Sequence, residues 1–86
     1  MSRIAIIGGG HMGEALLGGL LRAGHQVKDL VLAERAPERA DYLSRTFSVR
    51  IAPIADAVEN VAVVILAVKP ADVEAVTIEI GEAAGR

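Results

Sequence analysis

Cysteine is absent from this sequence, which excludes disulfide bridges and thiolate metal sites. Histidine occurs only at His11 and His25, and two isolated imidazoles cannot by themselves make a tetrahedral zinc site. Tryptophan is missing as well, and one Tyr and one Phe supply the aromatic 2%. The net charge of -2 leaves no basic footprint for nucleic acid, and no run of like charge marks a tail or a membrane patch. Long hydrophobic runs are lacking too: the longest, residues 61–68, falls far short of the roughly 20 residues a spanning helix needs. Arg3 ahead of apolar residues imitates the start of a signal peptide, but His11, Glu14 and the glycines at 8, 9, 10 and 13 interrupt the segment. These absences leave small-molecule binding in the cytoplasm as the expectation.

What remains is an aliphatic chain. Its 86 residues are 52% hydrophobic, dominated by Val, Ile, Leu and Ala, the composition of a buried parallel sheet flanked by helices. A chain this short buries only about 60 to 65% of its unfolded surface, so one small, marginally stable domain is expected.

The most informative stretch is Gly8-Gly9-Gly10-His11-Met12-Gly13, which follows the apolar run Ile4-Ala5-Ile6-Ile7 and opens a helical pattern. Glycines spaced G-x-G-x-x-G allow a sharp turn, close approach of backbone to a pyrophosphate, and tight packing of helix on strand. A helix start there also offers unpaired N–H groups to an anion. Glu34 ends the next apolar run about 20 residues past the last glycine, where the dinucleotide fingerprint requires a ribose-reading acid. Together they predict a nucleotide-binding βαβ unit.

Periodicity extends the pattern along the chain. A helix is predicted over residues 12–23, with Ala15, Leu16, Gly19, Leu20 and Ala23 on one stripe and Gly24 as a left-handed stop. Strands are predicted over 29–34, 49–51 and 61–68, the last rich in β-branched residues. Pro37 starts a second helix whose apolar face is Ala40, Leu43 and Phe47, and residues 53–60 make one or two helical turns. Pro70 opens a final helix with Val73, Val76 and Ile80 at i, i+3 and i+7, ended by Gly81 or Gly85. The fold class is therefore α/β, a Rossmann-type parallel sheet with flanking helices, incomplete at about four strands where the full fold has about six.

Several positions are candidates for ligand contact. His11, near a positive helix terminus, could touch a phosphate or the nicotinamide ribose through a ring nitrogen, or else be a solvated turn residue. Met12 reads as packing more than as function. Glu34 favours the ribose diol of NAD and repels a 2′-phosphate, whereas Arg35, with Arg39 one helical turn on, could pair with that phosphate. Alternatively Arg35 makes a surface pair with Glu34 or Glu38, worth under ~1 kcal/mol. Ala67-Val68-Lys69-Pro70 lies at the carboxyl end of the fourth strand, where ligands bind in open α/β sheets; the alternative is that Lys69 is a solvated loop charge and Pro70 only a helix starter. Asp41, Asp56, Glu59, Asp72 and Glu74 read as solvated helix faces, and no catalytic pair and no metal site is assigned.

The glycine loop with Met12-Gly13, the helix start Glu14-Ala15-Leu16-Leu17 and above all Ala67-Val68-Lys69-Pro70 resemble the amino-terminal domain of pyrroline-5-carboxylate reductases, over the whole chain. That resemblance implies reduction of 1-pyrroline-5-carboxylate to L-proline in proline biosynthesis, with NADP as cofactor and NAD as the alternative. It implies that Gly8, Gly10, His11, Met12 and Gly13 line the pyrophosphate, with Ala67, Val68, Lys69 and Pro70 on the nicotinamide side. Residues 1–86 would be a partial NAD(P)-binding domain. A helical carboxyl-terminal domain, which in the family supplies the substrate pocket and the interface of a homo-oligomer, would be absent, leaving this segment inactive alone. Two departures are visible: His11 where many relatives have Asn or Gln, and Ala55 where many have an Asn that reaches the adenosine ribose. Similar loops occur in β-hydroxyacid dehydrogenases and deazaflavin-linked NADP reductases, but Val-Lys-Pro speaks against both. A stand-alone nucleotide-binding module without catalysis is the remaining alternative.

Overall fold

A computed structural model describes residues 2–84. The apolar run at the amino terminus forms β1 (Ile4–Ile7), the turn of glycines leads into α1 (His11–Arg22), and a 3-10 turn precedes β2 (Leu30–Ala33). Next come α2 (Pro37–Phe47), the two-residue β3 (Arg50–Ile51), the short α3 (Ile54–Ala57) and β4 (Val63–Leu66). A second 3-10 turn over Pro70–Asp72 runs into α4 (Val73–Ala84). All pairings are parallel and the strand order is β3-β2-β1-β4. This order reverses direction between β1 and β4, the point at which open α/β sheets bind ligands.

Alternation along the strands divides the core in two. Ile4 and Ile6 of β1 with Leu30 and Leu32 of β2 face Leu17 of α1 and Leu43 of α2. Ala5, Ile7, Val31 and Ala33 face the other way, against Ile54 and Ala57 of α3 and Val76 of α4. Successive side chains of a strand point to opposite faces, so an uninterrupted apolar run is what a doubly covered strand requires.

Gly24 ends α1 as expected. With φ of +104° it closes a Schellman motif, its N–H bonding the Leu21 carbonyl at 3.1 Å and that of His25 the Leu20 carbonyl at 3.1 Å. The rotation of α1 differs from the predicted stripe. Gly13 and Leu17 are its buried positions, Leu16, Leu20 and Leu21 flank them, and Ala15 and Ala23 are exposed. The cause is local: Gly13 sits against the carbonyl of Gly8, which sets the helix phase more firmly than the spread of Leu and Ala does.

Other differences concern boundaries. β4 pairs over four residues where eight are apolar, because its partner β1 offers only Ile4–Ile7 for the parallel ladder. β2 starts after Asp29, whose N–H closes the 3-10 turn on the Gln26 carbonyl at 2.9 Å. It stops before Glu34, since Gly8 takes the Ala33 carbonyl at 2.8 Å and β1 is already turning away. Gly81 does not stop α4, which continues to Ala84, and Gly85 lies outside the described residues. Among the described residues no helix is long and apolar enough to cross a membrane, and no group of three or more metal-ligating side chains gathers.

Candidate functional site

The carboxyl ends of β1, β2 and β4 finish level with one another, Ile7 lying opposite Ala33 on one side and Leu66 on the other. Beyond Ile7 the chain must reverse into α1, and each glycine of the turn answers a different constraint. Gly8 adopts φ of +113°, and a Cβ there would stand 2.5 Å from the Ala67 carbonyl oxygen. Gly13 brings the first turn of α1 against the loop: a Cβ would lie 1.9 Å from the Gly8 oxygen. A Cβ added at Gly10 would meet nothing within 4 Å, so that side of its backbone faces open space. Gly10 is also the N-cap of α1, and no side chain caps it. The first-turn amides of His11, Met12 and Gly13 therefore lack the intrahelical partners that later amides have, and they concentrate positive potential at that end.

Gly9 is buried and held from both sides. Glu34 Oε1 accepts its N–H at 2.7 Å, and Arg39 Nε donates to its carbonyl at 2.8 Å. Glu34 Oε2 accepts the Ala36 N–H at 2.8 Å, so the carboxylate bridges the glycine loop and the start of α2. Each carboxylate oxygen keeps a further acceptor site for a hydroxyl. Arg39 continues the network by donating from Nη2 to Glu14 Oε1 at 2.9 Å, and the Tyr42 hydroxyl donates to Glu14 Oε2 at 2.9 Å. The Arg39 guanidinium also lies 5.1 Å from the Tyr42 ring centroid, within cation–π range. The hydrogen bond from Arg39, then that from Tyr42, holds the Glu14 carboxyl below its ordinary value. Bonding to Glu14 pushes the Tyr42 hydroxyl up, since ionisation would end its donation.

A cleft of about 800 Å³ opens over these strand ends, between the glycine loop, the end of β2, the β3–α3 connection and α4. A backbone that presents bare amides and a glycine with open space where a side chain would stand, at the rim of such a cleft, has the form of an anion cradle. Cleft size and position suit an extended ligand with a central diphosphate.

Comparison with known proteins agrees with that form. A family model described as NADP oxidoreductase, coenzyme F420-dependent, matches residues 3–86. The chain belongs to this family. Its similarity to curated proteins is to pyrroline-5-carboxylate reductases: 65% identity over 83 residues with that of Mycobacterium tuberculosis H37Rv, covering 96% of this chain and 28% of the relative. The Mycobacterium leprae enzyme of the same name is 63% identical over 84 residues, covering 98% and 29%. This chain thus spans under a third of the length of the relatives it matches. Among solved structures it resembles the pyrroline-5-carboxylate reductase of Coxiella burnetii, with a TM-score of 0.88 and 28% identity over 94% of this chain and 30% of that one. An imine reductase variant from Myxococcus stipitatus, solved with NAD+, matches at a TM-score of 0.71 and 25% identity, covering 86% and 24%.

Within this member of the NADP oxidoreductase family, Gly8, Gly10, Glu34, Arg35, Ala67, Val68 and Lys69 all line the cleft. The other four predicted positions lie outside that lining. Gly13 is buried behind the loop, His11 and Met12 are exposed on the first turn of α1, and Pro70 is exposed where the second 3-10 turn begins. Met12, at 64% exposure, is not the packing residue the sequence suggested, because the phase set by Gly13 turns it outward. Arg35 pairs with Glu79 of α4, not with Glu34 or Glu38. Arg39 is engaged by Gly9 and Glu14.

Sequence reasoning passed over Gly9, whose Cβ would meet Leu43 Cδ1 at 2.8 Å and Glu34 Cβ at 3.0 Å. The run of three glycines was its signal, since the fingerprint needs only the first and third of them. It also passed over the wall formed by Asp72, Ala75, Val76 and Glu79, which share one stripe of α4 and its leading turn. Nothing in their residue types announces a ligand.

Proposed function

We propose that this chain is the amino-terminal, nicotinamide-dinucleotide-binding domain of a pyrroline-5-carboxylate reductase, which reduces 1-pyrroline-5-carboxylate to L-proline in proline biosynthesis. The observation that carries the binding reading is the uncapped start of α1 beside the open space over Gly10, at the rim of the strand-end cleft. The choice of enzyme rests on the likeness to reductases at 63 and 65% identity. The chain matches 28% of the relative's length, and in this proposal substrate binding and assembly into a homo-oligomer belong to a helical carboxyl-terminal part outside the match. Cytoplasmic location follows the same reading.

In this proposal the amides of Gly10, His11 and Met12 hold the diphosphate, Glu34 and Arg35 meet the adenosine ribose, and Ala67, Val68, Lys69 and Pro70 border the nicotinamide. NADP is the favoured cofactor because Arg35 stands at the cleft immediately after Glu34 and can pair with a 2′-phosphate. NAD is the alternative, supported by the acceptor capacity that Glu34 keeps for a diol. When bound, the reduced nicotinamide supplies the hydride that turns the imine of the substrate into an amine. The protein's part is to fix one reactant so that the other can be brought into line. The family description favours a second reading, an NADP reductase that works with coenzyme F420. The 65%-identical relatives outweigh it.

Calorimetric titration of the chain with NADPH and with NADH tests the binding reading without needing turnover. Saturable heat with at least one of them is expected. Negligible heat with both removes it.

A further inference from the structure

We infer that Glu79 narrows this site's preference for NADP(H) over NAD(H), by competing for Arg35 with the 2′-phosphate that distinguishes the two cofactors. The inference rests on the dinucleotide-binding reading above and adds a residue to it. Arg35 and Glu79 are 44 positions apart in sequence, yet they form an ion pair across the cleft that both of them line. Ala75 and the buried Val76 form the adjoining wall of the same helix, so Glu79, one turn further on, overhangs the cleft and reaches the cation that follows Glu34.

A 2′-phosphate needs the guanidinium fork of Arg35, and a guanidinium binds a phosphate best when two of its N–H groups are free to do so. Here one Nη group is already donated to a carboxylate. The incoming phosphate must displace Glu79 or share the cation with it, and the two anions repel. A ribose diol makes no such demand: it can meet Glu34 while the Arg35–Glu79 pair stays intact. Glu79 is therefore a selective penalty on the phosphorylated cofactor. Its size is bounded by exposure, because the Arg35 and Glu79 side chains are 76% and 43% exposed and such pairs are weak.

Glu79→Gln removes the charge and keeps the shape. The ratio of NADPH to NADH affinity, measured by calorimetry on the chain and its variant, is expected to rise by about two- to fivefold, the range an exposed pair can supply. In an Arg35→Gln background the same substitution should shift the ratio by less than twofold. Far-UV circular dichroism checks that each variant keeps its fold. A ratio that is unchanged or falls in Glu79→Gln overturns the inference, and so does an equal rise in the Arg35→Gln background, which would assign the effect to repulsion alone. If neither nucleotide binds the unsubstituted chain, the binding reading itself fails and takes this inference with it.

Discussion

Arg39 donates its Nε hydrogen to the carbonyl of Gly9 at 2.8 Å, so a side chain of α2 holds a peptide of the β1–α1 turn. Glu34 takes the N–H of the same glycine, and the two contacts leave the loop little freedom to rotate that peptide. A cradle for an anion works best when its amides already point the right way, because no binding energy is then spent on ordering them. The clamp is thus the physical link between the start of α2 and the start of α1.

Replacing Arg39 by Met keeps the aliphatic stem and removes both charged hydrogen bonds, to Gly9 and to Glu14. The expected cost is about 1 to 2 kcal/mol of stability, since the contacts are partly exposed and water can replace some of them. Urea denaturation measures it. Dinucleotide affinity should fall as well, beyond what stability alone explains, and an affinity equal to that of the parent chain would show that the clamp does not pre-order the loop.

Glu14 provides a pH handle on the same network. Its carboxyl lies below the ordinary value, chiefly because Arg39 and then Tyr42 donate to the ionised form. The sign follows from linkage: a depressed folded value means stability that is present above the ordinary carboxylate range and lost as pH falls through it toward the folded value. Glu14→Gln should therefore flatten the acid limb of the stability curve. By NMR titration, Arg39→Met should raise the Glu14 value more than Tyr42→Phe does, and the reverse order would contradict the ranking of the two donors. Tyr42 behaves oppositely. Its hydroxyl is raised, so its contribution is complete below the ordinary phenol value and disappears only as pH climbs through the higher folded one.

Much of this fold could be read in the chain because the signals were local and redundant. The turn glycines, Gly24, Pro37 and the β-branched runs each name one backbone geometry, and neighbouring elements agreed with them. Boundaries were less legible: the run over 61–68 says how much apolar surface needs cover, whereas the length of β1 decides how much of it pairs. The site divided in the same way. Gly8, Gly10 and Glu34 were visible as a spaced motif, but Arg39 and Glu79 reach the loop and the cleft only through tertiary packing. No periodicity encodes a contact between residues 35 and 79.

Among the described residues β4 pairs only with β1 and its other edge is unpaired, with Val63 at 46% and Leu66 at 38% exposure, while Ile78 of α4 is 55% exposed. Unpaired N–H and C=O groups beside exposed aliphatic side chains are a template for pairing with another chain. Sedimentation velocity on the 86-residue chain should show association that grows with concentration. Val63→Lys, which places a charge on that edge, should shift the distribution toward monomer. A chain that stays monomeric across the accessible range would show that the edge is already protected.

The glycines give the sharpest contrast between fold and function. At Gly13 a Cβ would fall 1.9 Å from the Gly8 carbonyl oxygen, a distance no rotamer change can relieve, so α1 must lift from β1. Overpacking against backbone of this kind is expected to cost about 3 kcal/mol or more, enough to unfold a domain of marginal stability. Gly10 differs in both respects that matter: its φ of -74° suits any residue, and a Cβ there has nothing within 4 Å. Gly10→Ala should therefore change the unfolding free energy by less than about 1 kcal/mol. The added methyl would nevertheless occupy the space in which a diphosphate approaches the backbone, so dinucleotide affinity should fall by at least about tenfold, or 1.4 kcal/mol. Loss of stability in Gly13→Ala with loss of binding alone in Gly10→Ala separates the glycine that seats the helix from the glycine that admits the ligand. Unchanged affinity in a folded Gly10→Ala chain would mean that the anion rests elsewhere.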